Sequence, residues 1–395
     1  MRPNQDRLVV DETQAHCPAL REFRNARERR RLCFQKFIPS PAPGIHDSQV
    51  TYRHQKSRVP PAFAALLLLL SGCVSAKREP KLQLFEATQP HMGTLFTLSL
   101  YAPDAPTAND AAKAAFARVA DLNMILSDYE EESELRRLIR QPVGKPVTVS
   151  DDLMTLLQRS EALARRTDGA FDATLGPLIR YWRRARRQRT LPDPARLAQV
   201  RPAVGYENLE LNPRQGTVTL LATNMFIDFG GIAKGYAADQ ALAALRQHGV
   251  SRALVAASGD IRAGDPPPGE KGWPVGIASI DATKGNLTEK ILLKNAAVST
   301  SGDTEQFVPI DGVRYSHIVD PKTGHGLRKR IGVTVVASDA TTTDSLATAI
   351  SVLGAERGLA LIASIPGTSA LIVEVTDGNT TRVASPGFSR LPRPD

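Results

Sequence analysis

The sequence predicts an α+β fold built on mixed or antiparallel sheets flanked by helices, and three features carry that prediction. Short β-rich runs at 218–227, 253–257, 333–336 and 371–375 are separated in several places by hairpin-length turns rather than by helices. Two earlier segments instead repeat apolar residues at three-and-four spacing, the mark of helices with one buried face. No repeat of 20–50 residues is evident, and no three-glycine dinucleotide fingerprint follows a first strand, which argues against a solenoid and against a Rossmann fold.

The elements follow in order. Phe96, Leu98 and Leu100 alternate as in a half-buried strand. A helix is then expected with Asp110 as N-cap and a face of Ala112, Ala115, Phe116, Val119 and Leu122. A second is expected to be capped by Asp151 or Asp152 and striped by Leu153, Leu156, Leu157, Ser160 and Leu163. Six arginines then crowd into 180–189 (Arg180, Arg183, Arg184, Arg186, Arg187, Arg189), around Tyr181 and Trp182. Such a run can meet anionic lipid heads or an acidic partner, but its commoner meaning is a solvated helix end, which is the expectation here.

Composition bounds the class. The 395 residues, 42% hydrophobic and 23% charged, suffice for a sizeable core. The formal charge of +9 is uneven: residues 1–80 hold 14 Lys+Arg against 7 Asp+Glu, and residues 81–395 hold 36 against 34. The net charge of the body therefore gives no electrostatic reason to expect a nucleic-acid footprint. All three cysteines, Cys17, Cys33 and Cys73, lie in that basic leader, so the body has no thiol for a disulfide, a zinc site or a nucleophile.

The leader has a pattern of its own. Cationic Arg53, Lys56 and Arg58 precede the apolar run 62–70, which ends in Leu70, Ser71, Gly72 and Cys73. So short a run cannot cross a bilayer as a mature helix, which takes about 20 residues. The expectation is a lipoprotein signal peptide over 51–73 with Cys73 lipidated, a tether over 74–81 and a folded domain over 82–390. Residues 1–50 are then a non-native, disordered extension from an upstream start. The expected location is the bacterial inner membrane, periplasmic face, or the cell exterior. A buried leucine hairpin is the alternative.

Three constellations can carry chemistry. In Ile227, Asp228, Phe229, Gly230, Gly231, Ile232, Ala233 and Lys234, a strand is expected to end in an acid, turn on two glycines and enter a helix with an early lysine. Free N–H groups at such a helix start suit a phosphate, although an ordinary strand-to-helix turn reads the same way. Asp344 and Thr348 stand four apart on one helical face and offer hard oxygen ligands of the kind Mg²⁺ takes. A helix-start Asp bonded to nearby N–H groups explains the same residues without metal. Finally, Thr300 to Asp303 precede Tyr315, Ser316 and His317, with Asp320, Pro321, Lys322, Thr323 and Gly324 as a turn that presents an imidazole.

In number and order these motifs resemble the ApbE family, the FAD:protein FMN transferases. The likeness runs from Met92 to Gly354. It includes Met92-Gly93-Thr94, Leu126-Ser127-Asp128-Tyr129 with Ser133-Glu134-Leu135, Gly169 to Thr174, the glycine-lysine turn, Gly259-Asp260-Ile261, and the two later constellations. The resemblance implies a two-lobed fold and FAD contacts at Met92, Tyr129, Ala170, Phe171, Asp172, Asp228, Lys234, His317 and Ile318. It implies Mg²⁺ on Asp344 and Thr348 with main-chain oxygens near Gly231 and Ala347.

The implied activity is Mg²⁺-dependent transfer of FMN from FAD to a Thr or Ser hydroxyl of an acceptor protein, releasing AMP. His317 is the candidate base, and Asp320 or Asp303 could orient it or share the role. Implied partners are FAD, an acceptor in a membrane redox complex or exported flavoprotein, and the membrane through Cys73; nucleic acid is not among them. The rival readings are an FAD-binding lipoprotein, an Mg²⁺-dependent FAD pyrophosphatase giving FMN and AMP, and a scaffold lipoprotein. Ser258 and Ala173 depart from the family pattern, where glycine and proline are usual.

Overall fold

The computed structural model describes residues 81–278, 287–302, 306–376 and 379–394. The extension, the signal peptide with Cys73, nearly all of the tether, and Asp303 lie outside the described residues.

The elements run β1 (Gln83–His91), β2 (Thr94–Ala102), α1 (Ala105–Leu126), α2 (Glu134–Ile139), β3 (Val147–Thr148), α3 (Asp151–Thr167), α4 (Gly176–Gln188) and α5 (Pro194–Val200). They continue with β4 (Leu209–Asn212), β5 (Thr217–Leu220), α6 (Ala233–Gln247), β6 (Ala253–Ala257), β7 (Asp260–Ala263), β8 (Trp273–Ala278), β9 (Leu287–Leu293) and β10 (Ala297–Gly302). The remainder is β11 (Phe307–Ile310), β12 (Val313–Ser316), β13 (Arg330–Ala337), α7 (Ala340–Leu353), α8 (Ala355–Ala363), β14 (Ser369–Thr376), β15 (Asn379–Ala384) and α9 (Pro386–Ser389).

The organising layer is an eight-stranded sheet in the order β1-β2-β6-β7-β10-β13-β14-β15, antiparallel at every pairing. The fold is α+β, as the spacing of the β-rich runs predicts. Phe96, Leu98 and Leu100 of β2 point into the core, as their alternation requires. Helix α1 packs on α6 and α6 on α7, and all three lie against the sheet. Small residues such as Ala111 and Ala115 of α1 and Ala237 and Ala241 of α6 let the helices approach closely, and all four are fully buried. A separate hydrophobic cluster forms around Trp182 of α4, which packs with Leu178, Val308 and Tyr315. Among the described residues no helix is long and apolar enough to cross a membrane.

Three boundaries differ from expectation. Asp110 lies inside α1, because Pro106 pre-sets the first turn and the Asp104 carboxylate accepts the Thr107 N–H at 2.9 Å. Ser150 caps α3 by accepting the Leu153 N–H at 3.3 Å; Asp152 is drawn away to Arg118 and to the Tyr236 hydroxyl at 2.7 Å. The 218–227 run is strand only to Leu220. Beyond it the backbone is irregular, and the Asp228 N–H donates to the Ala173 carbonyl at 2.7 Å instead of to a sheet neighbour.

The helix pair that carries the site is fixed from both sides. Asp239 of α6 accepts from the N–H groups of Ala340 and Thr341, both at 2.9 Å, and so caps the start of α7 together with Asp339, which accepts from Thr342. Arg262 of β7 holds Asp239 at 3.0 Å. The helices approach so closely at Gly235 that a Cβ there would sit 2.1 Å from the Ala340 carbonyl oxygen and 2.9 Å from the Asp344 Cβ. Gly235→Ala is therefore expected to destabilise the fold by about 1–3 kcal/mol, read from denaturant unfolding, because the helices must move apart.

Candidate active site

Three elements converge on Lys234. It stands in the first turn of α6, and its ammonium lies 3.0 Å from Asp260 Oδ2 of β7, 3.3 Å from Asp344 Oδ2 of α7 and 3.3 Å from the Gly230 carbonyl. An ammonium has three hydrogens, and oxygens of three residues, Asp260, Asp344 and Gly230, surround it. Asp344 also accepts the Gly235 N–H at 3.0 Å. Burial alone would pull the Lys234 ammonium below its ordinary value, but the Asp260 and Asp344 carboxylates outweigh it and hold the group higher. Burial, reinforced by Asp260, pushes the Asp344 carboxyl up to about 7 against the pull of Lys234. The trio holds two carboxylates and one ammonium, an arrangement that favours an added cation.

The oxygens beside this trio fit magnesium. A Cβ on Gly231 would lie 2.8 Å from Thr348 Oγ1, so the glycine turn and the Asp344–Thr348 face are in contact. Asp344 Oδ1 has only a long, 3.5 Å approach to Lys234, and the Thr348 hydroxyl makes no hydrogen bond to another described residue. One carboxylate, one hydroxyl and a backbone oxygen are the hard, sparse donor set on which Mg²⁺ keeps waters and substrate phosphate. Among the described residues no three or more His, Cys, Asp or Glu gather as a metal cluster, so a carboxylate-rich cage is not what the fold offers. The Ala347 carbonyl, the other main-chain oxygen expected here, accepts the Ser351 hydroxyl at 2.8 Å.

A second network adjoins the turn. Asp228 accepts the Gly230 N–H at 2.8 Å through Oδ1 and Arg183 Nη2 at 2.5 Å through Oδ2. Arg183 also pairs with Asp128 and lies 4.7 Å from the Tyr129 ring centroid. Tyr129 is 72% exposed, a ring available for stacking rather than a core residue. Met92, at φ +48° in the β1–β2 turn, packs half-buried against the main core.

Ala170 and Phe171 begin the turn into α4, with Phe171 buried and its N–H on the Thr167 hydroxyl. Asp172 is committed to the scaffold: Oδ1 accepts from the Thr174 N–H and hydroxyl, and Oδ2 from the Tyr206 N–H at 2.9 Å. His317 follows β12, with Nδ1 3.2 Å from the Gln306 carbonyl, and buried Ile318 is next to it. Asp320 Oδ1 accepts the Lys322 N–H at 2.8 Å and shapes the turn beyond.

Two residues with no site role in the sequence pattern are brought in by the geometry. Asp260 was visible in its Gly-Asp-Ile motif, but its partner lies on another element. Arg183 was hidden in the arginine run, where a solvated end was expected; it is instead half-buried between two acids. The departures are explained locally. Ser258 takes φ +59° in the two-residue β6–β7 turn, a conformation glycine adopts without strain, and Ala173 opens a short 3₁₀ turn where proline would also fit.

Residues 92–372 match the ApbE family. The chain belongs to the ApbE family. It is 30% identical over 328 residues to the FAD:protein FMN transferase of Vibrio cholerae, covering 82% of this chain and 96% of that protein. It is 31% identical over 326 residues to the protein of the same name from Treponema pallidum, covering 79% and 90%. Its fold resembles the flavin transferase ApbE from Vibrio cholerae at TM-score 0.71 and 29% identity, over 79% of this chain and all (100%) of that one. It likewise resembles apo Pseudomonas stutzeri flavinyl transferase ApbE at TM-score 0.70 and 29% identity, over 78% and 97%.

The geometry separates two roles among the ApbE positions. Asp172→Asn turns a donor toward the Tyr206 N–H or toward the Thr174 pair, so unfolding free energy is expected to fall by about 1–3 kcal/mol. Thermal unfolding without flavin checks this; an unchanged transition refutes the scaffold role.

Proposed function

We propose that this chain is a FAD:protein FMN transferase, which moves FMN from FAD onto a Thr or Ser hydroxyl of an acceptor protein and releases AMP. The observation that carries the reading is the contact between the 228–231 turn and the Asp344–Thr348 face of α7, closed by Lys234. Two sequence-distant motifs thereby present polar groups to one place, where a dinucleotide's diphosphate can be held.

The chain's residues divide the work. The exposed Tyr129 ring and half-buried Met92 supply apolar surface for the rings of FAD. Asp228, held by Arg183, keeps the glycine turn in shape through the Gly230 N–H. Lys234 acts through Asp344 and Asp260, fixing the direction of the carboxylate that faces the substrate. Asp344 and Thr348, with the backbone at Gly231, would hold Mg²⁺. Bound there, the ion would supply positive charge to the phosphate oxygens as the leaving group departs.

In the transfer step the acceptor hydroxyl oxygen bonds to the FMN-side phosphorus, the bond from that phosphorus to the bridging oxygen breaks, and AMP leaves with the bridging oxygen. His317 takes the hydroxyl proton. Asp320 shapes its turn, and Asp303 remains a second candidate for orienting it. The leader motif supports a further part of the reading: lipid attachment at Cys73 and action at the periplasmic face or cell exterior, on a membrane redox complex or exported flavoprotein.

His317→Ala is expected to lower the transfer rate by about 10²–10⁴-fold while FAD still binds. Asp344→Ala is expected to remove the magnesium dependence of both FAD binding and transfer. In-gel flavin fluorescence of an acceptor, an AMP assay and calorimetric FAD titration with and without Mg²⁺ read these outcomes. AMP release without acceptor labelling would instead identify hydrolysis, and full transfer by His317→Ala would remove the histidine from its role.

A further inference from the structure

Beside the flavin site opens a cleft of about 610 Å³ whose wall is made by the arginine-rich helix α4 and by α2. Its lining includes Arg136, Arg180, Arg184, Arg187 and Arg196, together with Arg183, which is already paired with Asp128 and Asp228. The only lining acids among the described residues are Asp128, bound to Arg183, and Glu131. Arg196 also approaches Asp193 at 3.9 Å, so among the lining acids Glu131 alone is left to offset Arg136, Arg180, Arg184 and Arg187.

Two of these arginines are pre-organised. Phe226 is buried at 6% exposure, and the guanidinium carbons of Arg180 and Arg136 lie 4.6 Å and 5.2 Å from its ring centroid. Neither side chain pairs with an acid among the described residues, and Arg136 Nε is buried with no hydrogen-bond partner. Guanidiniums held by one ring, with donors unspent, have lost much of the freedom that an exposed arginine gives up on binding. An unsatisfied buried donor also favours whatever acceptor reaches it.

We propose that this cleft docks an acidic segment of the acceptor polypeptide, next to the hydroxyl that receives FMN. The proposal rests on the transfer reading, which makes a polypeptide the second substrate. Its support is charge complementarity and continuity, since Tyr129 and Arg183 belong both to the cleft and to the flavin-side network. The chemistry points away from the other anions. The cleft is concave, with two guanidiniums drawn over Phe226, whereas a bilayer would meet a convex basic face. The Phe226 ring is buried and covered by two guanidiniums, which leaves it poorly placed to stack a nucleotide base within the cleft. Separated carboxylates along an extended peptide match separated guanidiniums.

The test uses the full chain and a fluorescein-labelled dodecapeptide with one threonine and five glutamates, against its glutamine counterpart, by anisotropy. The glutamate peptide is expected to bind at least about tenfold tighter at low salt, with affinity falling as salt rises. The double variant Arg136→Gln/Arg180→Gln is expected to lose about tenfold of that affinity, while Arg165→Gln, on α3 outside the cleft, loses none. Equal binding of the two peptides, or no effect of the double variant, overturns the proposal. So does binding of phosphatidylglycerol vesicles or AMP that the double variant abolishes while the acidic peptide is ignored. Should the double variant not fold, Arg180→Glu with a lysine peptide decides: gain of binding supports docking, and no gain overturns it. FAD titration of the wild-type chain separately tests the transfer reading, because its failure leaves the peptide comparison intact.

Discussion

The site depends on one ammonium surrounded by oxygens of three residues. Lys234 joins α6 to β7 through Asp260 and to α7 through Asp344, and both ion pairs are directional. Taking these charges out of water is unfavourable, and the Coulomb attraction offsets it only with well-formed geometry. The asymmetry matters more than the net value: removing one member of a buried pair typically destabilises by about 3–5 kcal/mol, because the others are left uncompensated. The arrangement is thus less a source of stability than a constraint on where the Asp344 carboxylate points.

That constraint is transmitted by neighbours that do not touch the site. Arg262 holds Asp239, Asp239 caps α7, and the close approach at Gly235 leaves α7 little room to slide along α6. Asp344 and Thr348 sit one and two turns into a helix whose N-terminal N–H groups are fully engaged, so their oxygens are held at fixed spacing. Tyr236 ties the same helix α6 to Asp152, which Arg118 shares. The scaffold is polar where it fixes register and alanine-rich where it needs proximity.

Much of this was legible in the sequence, for identifiable reasons. Strand alternation at 96–100 and the α3 stripe are local periodicities, and both are buried as read. The turn at 228–234 and the Asp344–Thr348 spacing are local too, and resemblance to a family joined them before geometry did. What was not legible is long-range. Asp104 displaced Asp110 because proline and a capping carboxylate decide a helix start more strongly than the onset of apolar periodicity. Asp152 resembles a cap until Arg118 and Tyr236 are brought to it. Asp172 reads as a ligand contact in the sequence, and the hydrogen bond from the Tyr206 N–H of a distant segment to its second oxygen adds a scaffold role that no local pattern shows. In each of these last two cases a partner remote in sequence sets a use that the local pattern does not show.

Arg183 shows the same selection with functional consequences. Six arginines in ten residues read as solvated charge, because nothing in the run says which of them meets an acid. Helical geometry divides them: Trp182 and Ala185 turn into the core and fix the rotation of α4, so Arg183 falls between Asp128 and Asp228 while Arg180 swings over Phe226. The Asp228 that Arg183 holds also accepts the Gly230 N–H, which shapes the turn leading to Gly231 and Lys234. One helix therefore contributes to the cleft wall and, through Asp228, to the shape of the turn beside Asp344 and Thr348. A ligand that repositioned α4 would act on Arg183 first, and through Asp228 on the glycine turn. The physical route from the cleft wall to the glycine turn is one ion pair, Arg183–Asp228, and one hydrogen bond, from the Gly230 N–H to Asp228.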